Sequence, residues 1–217
     1  MDGTGTLFEP FVRELPPHVN AVTVSYPAGV HLSYDQLAGR VRNELPPGQP
    51  YIIVAESYSG PVALRLAAAP VGDLRAIVLV ASFVSRPLGR WGRRLAWLPW
   101  AAVFRLRPPR LALRWLLMNR DTPRETVSAV QAAIGQVRPD VLAARMREAL
   151  RADSTEAALA CPVRIVCLVA GRDRLLGWRA FPGVETVTVP SPHLLLQCAP
   201  RAAIAAMNQL GLLRETG

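Results

Sequence analysis

The sequence contains no lysine: all 25 of its basic residues are arginine, against 16 acidic residues, for a formal net charge of +9. Complete replacement of one cation by the other reads as a coding bias, so the excess charge does not by itself point to a nucleic-acid partner. Nucleic-acid binders usually show a dense stripe with interleaved aromatics or a known module; no such module is found, and no nucleic-acid partner is expected. Cysteine is scarce. Cys161, Cys167 and Cys198 are odd in number and in no metal-ligand spacing, which excludes a disulfide framework and argues for buried thiols in a reducing compartment. Long apolar runs are missing too. The longest in the middle of the chain, Leu95 to Phe104, is too short to span a bilayer and is followed at once by Arg105 and Arg107. No segment has the charged start and apolar core of a signal peptide, so a cytoplasmic protein is expected. Histidine is limited to three positions, which narrows the search for a general base.

What is there suits one domain over residues 1–217, since 217 residues build a full core and are short for two. Short β-branched runs alternate with helical segments, the pattern of an α/β fold: a mostly parallel sheet with flanking helices. Strands are expected at Ala21–Tyr26, Tyr51–Ala55, Ala76–Ala81, Val163–Ala170 and Val184–Val189. Ser33 reads as the N-cap of a helix through Tyr34, Leu37, Val41 and Leu45, stopped by Pro46 and Pro47. Further helices are expected from about Gly60 to Ala69 and from about Pro200 to Leu213. Residues 85–158 break the rhythm. They hold three of the five tryptophans within ten positions and helical patterns at Leu111–Met118 and Val127–Leu150, and read as a helical cap insertion over the sheet.

The strongest local signal is Ala55-Glu56-Ser57-Tyr58-Ser59-Gly60, where a strand hands over to a helix with almost no loop. A nucleophile elbow needs small residues on both sides of its serine because the turn brings their backbones close. Ala55 and Ser59 are small, though neither is glycine; taken alone, Ser57 could equally cap the helix that follows. The partners decide. An activated serine needs a base, and the base an acid to fix its tautomer. Gly171-Arg172-Asp173 follows the fourth expected strand, and Pro190-Ser191-Pro192-His193 the fifth. Ser57, Asp173 and His193 therefore fall at the carboxyl ends of strands, where open α/β sheets build their sites. His18 and His31 lie before Ser57, in the wrong order. The cysteines read as small core residues, with Cys198 kept as a minor candidate because it is close to His193.

These residues resemble the α/β-hydrolase superfamily along most of the chain. The opening Met1-Asp2-Gly3-Thr4-Gly5-Thr6-Leu7-Phe8, the elbow Glu56-Ser57-Tyr58 and Pro192-His193-Leu194-Leu195-Leu196-Gln197 are similar to segments of bacterial serine-esterase-like members. The resemblance implies a catalytic triad of Ser57, Asp173 and His193, and an oxyanion hole from the backbone N–H groups of Tyr58 and of Asp2 in the first loop. It implies a small ester or acyl substrate and no metal or organic cofactor. The fold does not fix the substrate. In that family a central strand precedes the opening loop and lies between the strands expected at Ala21 and Tyr51. The sequence starts at the loop, so the fold is expected to be N-terminally truncated, with the native start upstream of Met1. Either the flanking strands then pair directly or the sheet keeps an unpaired ladder, and the loop at Met1 and Asp2 is expected to be a free, mobile end.

Three functions follow from this reading. One is hydrolysis of a carboxylic ester or thioester through an acyl-enzyme on Ser57. The second is acyl transfer by the same triad. The third is a pseudo-hydrolase acting as a binding or membrane-surface protein. Between Arg86 and Arg120 there is no acidic residue; the tryptophans and arginines of this stretch read either as contact with an anionic membrane surface or as arginine stems covering apolar protein.

Overall fold

The computed structural model describes residues 1–70, 72–106, 109–176 and 183–213, the side chain of Arg90 excepted. Four parallel strands form one sheet in the order β1 (Pro50–Glu56), β2 (Asp73–Val80), β3 (Arg164–Ala170), β4 (Glu185–Val189). The inner strands are apolar at successive positions because both faces of the sheet are covered. Val78, Val80 and Leu168 pack on one face with Phe11 of α1 (Glu9–Arg13) and Met207 of α11 (Pro200–Gln209). Ile77, Leu79 and Val169 pack on the other with Ala63 and Leu64 of α3 (Gly60–Ala67).

Helix α2 (Tyr34–Arg42) begins as its sequence dictates. The Ser33 hydroxyl accepts from the Gln36 N–H, and the Gln36 side chain accepts from the Ser33 N–H, a reciprocal capping box. Between β2 and β3 the chain forms α4 (Gly89–Leu95), α5 (Trp100–Arg105), α6 (Arg110–Leu117), α7 (Arg124–Gln136), α8 (Pro139–Arg151) and α9 (Thr155–Leu159). The single helical pattern expected over Val127–Leu150 is two helices. Pro139 disfavours the helical region for Arg138, which has ψ of 138°, and Val137 before it is extended as well, with ψ of 136°. Arg107 and Pro108, part of the arginine-rich stretch, lie outside the described residues.

The strand expected at Ala21–Tyr26 does not form. The segment keeps a strand-like alternation, with Val24 and Tyr26 turned toward the core and Val22 exposed, but makes no ladder with β1. Its Tyr26 N–H instead donates to the Gly3 carbonyl at 2.7 Å. A cavity of about 210 Å³ separates it from β1, lined by Ala21–Val24 on one side and Ile52–Ala55 on the other. Of the two expected outcomes, direct pairing is therefore excluded and the ladder on the outer edge of β1 is open. A β-prone sequence becomes a strand only when a neighbour is within hydrogen-bonding reach.

The close crossing of α4 on α8 depends on Gly92, which is buried. A Cβ there would lie 2.7 Å from the backbone carbonyl oxygen of Leu150, which no rotamer change relieves. Gly92→Ala is expected to lower stability by about 1–3 kcal/mol, read from chemical denaturation midpoints; an unchanged midpoint would show that the two helices separate freely.

Candidate active site

The carboxyl ends of β1, β3 and β4 lie along one edge of the sheet and deliver Ser57, Asp173 and His193 to one place. Ser57 follows β1 directly and has φ of 53°, in the left-handed region. A non-glycine residue held there stores about 1–3 kcal/mol, and persists only where its surroundings enforce it. Two neighbours do so. The Ser82 hydroxyl, just past β2, donates to the Ser57 carbonyl at 2.6 Å. Gly60 makes room for that contact, since a Cβ at position 60 would sit 2.0 Å from Ser82 Oγ. Gly60 is thus a small residue that the turn demands.

The Ser57 hydroxyl lies 2.9 Å from His193 Nε2, and His193 Nδ1 lies 2.7 Å from Asp173 Oδ2. Asp173 is oriented by two backbone donors, the N–H groups of Leu175 and Leu176, at 2.7 and 2.9 Å from Oδ1. With the Nδ1 proton directed at a carboxylate, Nε2 presents its lone pair to the serine hydroxyl. The arrangement can take a proton from Ser57 and hold the resulting imidazolium beside a buried negative charge. His193 and Asp173 are almost fully enclosed, at 2% and 5% side-chain exposure. The other histidines are elsewhere: His18 Nε2 meets the Leu213 carbonyl and His31 Nε2 meets Glu148. Cys198 packs in α10 (Leu195–Cys198) near Thr122, with its thiol pushed up by burial.

Ser57 and His193 open onto a cavity of about 180 Å³ whose walls also include Asp2 and Tyr58. The rest of the lining is mostly apolar and comes from three directions: Leu7 and Phe8, Phe104 and Leu117 of the α5–α6 region, and Met146 and Leu150 of α8. Tyr58 is itself buried; its ring stacks at 4.8 Å from that of Tyr34 and its hydroxyl donates to Glu148 at 2.6 Å.

The loop at Met1 and Asp2 is pinned rather than free. Arg145 of α8, only 1% exposed, donates through Nη1 to the carbonyls of Met1 and Asp2 at 2.9 and 2.7 Å, and through Nη2 to that of Pro27 at 2.8 Å. One turn later, Glu148 accepts from the Tyr34 N–H and the Tyr58 hydroxyl. Sequence reasoning missed both. The signal for Arg145 was a charge on the core-facing stripe of α8, in line with Leu142 and Ala149. A fixed guanidinium also sets which way the loop's peptide units face: their carbonyls point to Arg145.

Glu56 of the elbow has a role that the motif does not announce. It is buried, and its carboxylate accepts from the Leu196 N–H at 3.0 Å and Gln197 Nε2 at 2.9 Å, tying the residue before Ser57 to the helix after His193. Burial raises its pKa above the ordinary 4.5, against the opposing pull of those hydrogen bonds.

Chains of known structure share this architecture. An esterase from Thermogutta terrifontis superposes with a TM-score of 0.77 at 19% identity, covering 98% of this chain and 87% of its own. A hydrolase from Oleispira antarctica gives 0.75 at 11% identity, with coverage of 97% and 87%. The chain has the α/β-hydrolase fold. An enol-lactonase from Burkholderia xenovorans shares that α/β-hydrolase fold, with a TM-score of 0.71 at 15% identity and coverage of 99% and 88%. No family model and no curated protein matches the sequence. The resemblance seen in the short motifs thus extends to the backbone. The flanking helices and parallel sheet are the α/β-hydrolase architecture, here with four strands.

Two outcomes follow from the residues that hold the site. Arg145→Met keeps the bulk but leaves three carbonyls without their donor, each worth about 1–3 kcal/mol if buried and unsatisfied. A stability loss of about 3 kcal/mol is expected in denaturant titration, and a loss under 1 kcal/mol would mean that water replaces the guanidinium. For Glu56 the folded state binds its proton more tightly than the unfolded chain does. Its contribution is therefore full below pH 4.5 and declines as pH rises through the raised folded value. Wild type is expected to lose melting temperature relative to Glu56→Gln as pH climbs above about 4.5; parallel curves for the two proteins would contradict this.

Proposed function

We propose that the protein is a serine hydrolase of carboxylic esters or thioesters, with Ser57 as nucleophile, His193 as general base and acid, and Asp173 as the group that orients His193. The observation that carries this reading is the contact between the Ser57 hydroxyl and His193 Nε2, made by a serine held at positive φ. The fold shared with esterases and a lactonase supports it.

Ser57 Oγ attacks the substrate carbonyl carbon while its proton passes to His193 Nε2. The carbonyl π electrons move to oxygen, and the oxyanion is met by the backbone N–H of Tyr58 and by an N–H of the loop at Asp2 that Arg145 holds. Collapse of the tetrahedral adduct breaks the bond to the leaving oxygen or sulfur, which takes the proton from His193. Water then enters, loses its proton to His193, and attacks the acyl-enzyme; the second collapse returns the proton to Ser57 Oγ. Preorganised donors aimed at the oxyanion contribute about 10²–10³ in rate each. The apolar walls of the cavity favour an acyl or aryl group over a charged one. Residues 85–158 act as a cap, since Phe104, Leu117, Met146 and Leu150 close the cavity over Ser57.

A fluorophosphonate probe needs no knowledge of the substrate. Intact mass and peptide mapping are expected to find one adduct on Ser57, absent in Ser57→Ala. Ester turnover is expected to fall about 10⁴-fold in Asp173→Asn and about 10⁶-fold in His193→Ala. A folded protein that takes up no probe would overturn the assignment.

A further inference from the structure

Most of the large apolar side chains that the fold leaves in water are concentrated in one stretch. Trp91, Trp97, Leu98, Val103, Leu106, Leu111 and Trp115 are all exposed; only Val22, Val30 and Leu159 are comparable elsewhere among the described residues. Helix α6 shows the pattern most clearly. Leu113 is buried and Leu117, one turn on, lines the cavity over Ser57, while Leu111 and Trp115, also one turn apart, are 80% and 65% exposed. At 3.6 residues per turn these pairs point in opposite directions. A helix apolar on both faces needs two apolar neighbours, and the protein supplies one. Helix α5 repeats the arrangement, with Phe104 in the cavity wall and Val103 and Leu106 facing out.

The charge around this patch is of one sign. Residues 86 to 120 contain nine arginines and no acid. Arg93, Arg94, Arg105 and Arg120 are exposed, and among the described residues none of them forms an ion pair. Arg94 lies over the Trp91 ring at 5.1 Å, which places a cation beside an aromatic plane at the rim. No described helix is long and apolar enough to cross a membrane.

We infer that α4, α5 and α6 dock peripherally on an anionic lipid bilayer, with the tryptophan and leucine side chains entering the headgroup region and the arginines meeting lipid phosphates. Apolar residues flanked by unpaired cations are the composition of interfacial helices, and the negative potential of an anionic leaflet attracts each arginine near it. A second copy of this chain fits the surface poorly, because its own patch carries the same positive charge. The docked face lies beside the site. The Leu194 N–H, next to His193, donates to the Leu117 carbonyl at 3.1 Å, and Arg174, next to Asp173, donates to the Trp115 carbonyl at 2.9 Å. An acyl chain leaving the bilayer would meet Phe104 and Leu117 on the way to Ser57. That delivery rests on the hydrolase reading; the docking does not.

Flotation with vesicles of phosphatidylcholine alone, and of phosphatidylcholine with phosphatidylglycerol, tests the surface. Strong binding is expected only to the second, weakening with salt. Each of Arg93→Gln, Arg94→Gln and Arg105→Gln is expected to weaken it roughly fivefold, the equivalent of about 1 kcal/mol per arginine. Trp97→Ala with Leu106→Ala and Trp115→Ala, all exposed, is expected to abolish it while circular dichroism and fluorophosphonate labelling of Ser57 stay as in wild type. Absence of vesicle binding, or equal binding to neutral vesicles, would overturn the proposal. So would self-association that the same substitutions remove. Failed labelling with vesicle binding intact would instead strike at the hydrolase reading alone.

Discussion

The left-handed backbone at Ser57 is the constraint around which the site is built. A serine relaxes out of that region unless its surroundings hold it, and here contacts with other parts of the chain do so. Ser82, at the end of β2, takes hold of the Ser57 carbonyl. Gly60 leaves the space for that hydroxyl. Glu56, one residue earlier, is fastened to the backbone and side chain that follow His193. The strain is local, and the restraint is spread over β1, β2 and the segment after β4. Misplacing any of these would move the hydroxyl away from Nε2 before it affected the sheet.

A second set of restraints comes from above the sheet. Arg145 and Glu148, one turn apart on α8, reach the first loop, the Pro27 turn, the start of α2 and the Tyr58 hydroxyl. Both sides of the cavity thus answer to one helix. The carbonyls of Met1 and Asp2 are drawn to the guanidinium, so the loop's remaining polar atoms have their direction set without any contact to Ser57 itself. Conformational change in α8 would alter the first loop and the wall of the cavity together.

The parts of this arrangement that could be read from sequence are those with a local cause. Ser57 announces itself through small neighbours at a strand–helix junction, and Asp173 and His193 through turns that follow β-branched runs. The Ser33 cap is similarly local. Ala21–Tyr26 misled because β propensity records how side chains suit a pleated surface, whereas a strand also needs a partner at hydrogen-bonding distance. Ser82 and Arg145 were invisible for the opposite reason: their bonds join residues 25 and more than 100 positions apart, and their types say nothing about the distant carbonyl they meet. An arginine in the buried stripe of a helix was the one hint available.

The open edge of β1 has a bearing on how the protein behaves before and after folding. Ile52-Ile53-Val54-Ala55 is as apolar as an interior strand, yet its outer edge faces a cavity instead of another strand. Natural sheets blunt such edges with charge, proline or a bulge; here Pro50 guards only the beginning. Shielding falls to the Ala21–Tyr26 segment, which is held by the Gly3 carbonyl, by Arg40 at the Ser25 carbonyl and by the Tyr26 ring against Tyr58, with no ladder to the strand it covers. Without that cover, the ladder of β1 is the kind of edge on which another extended chain can pair.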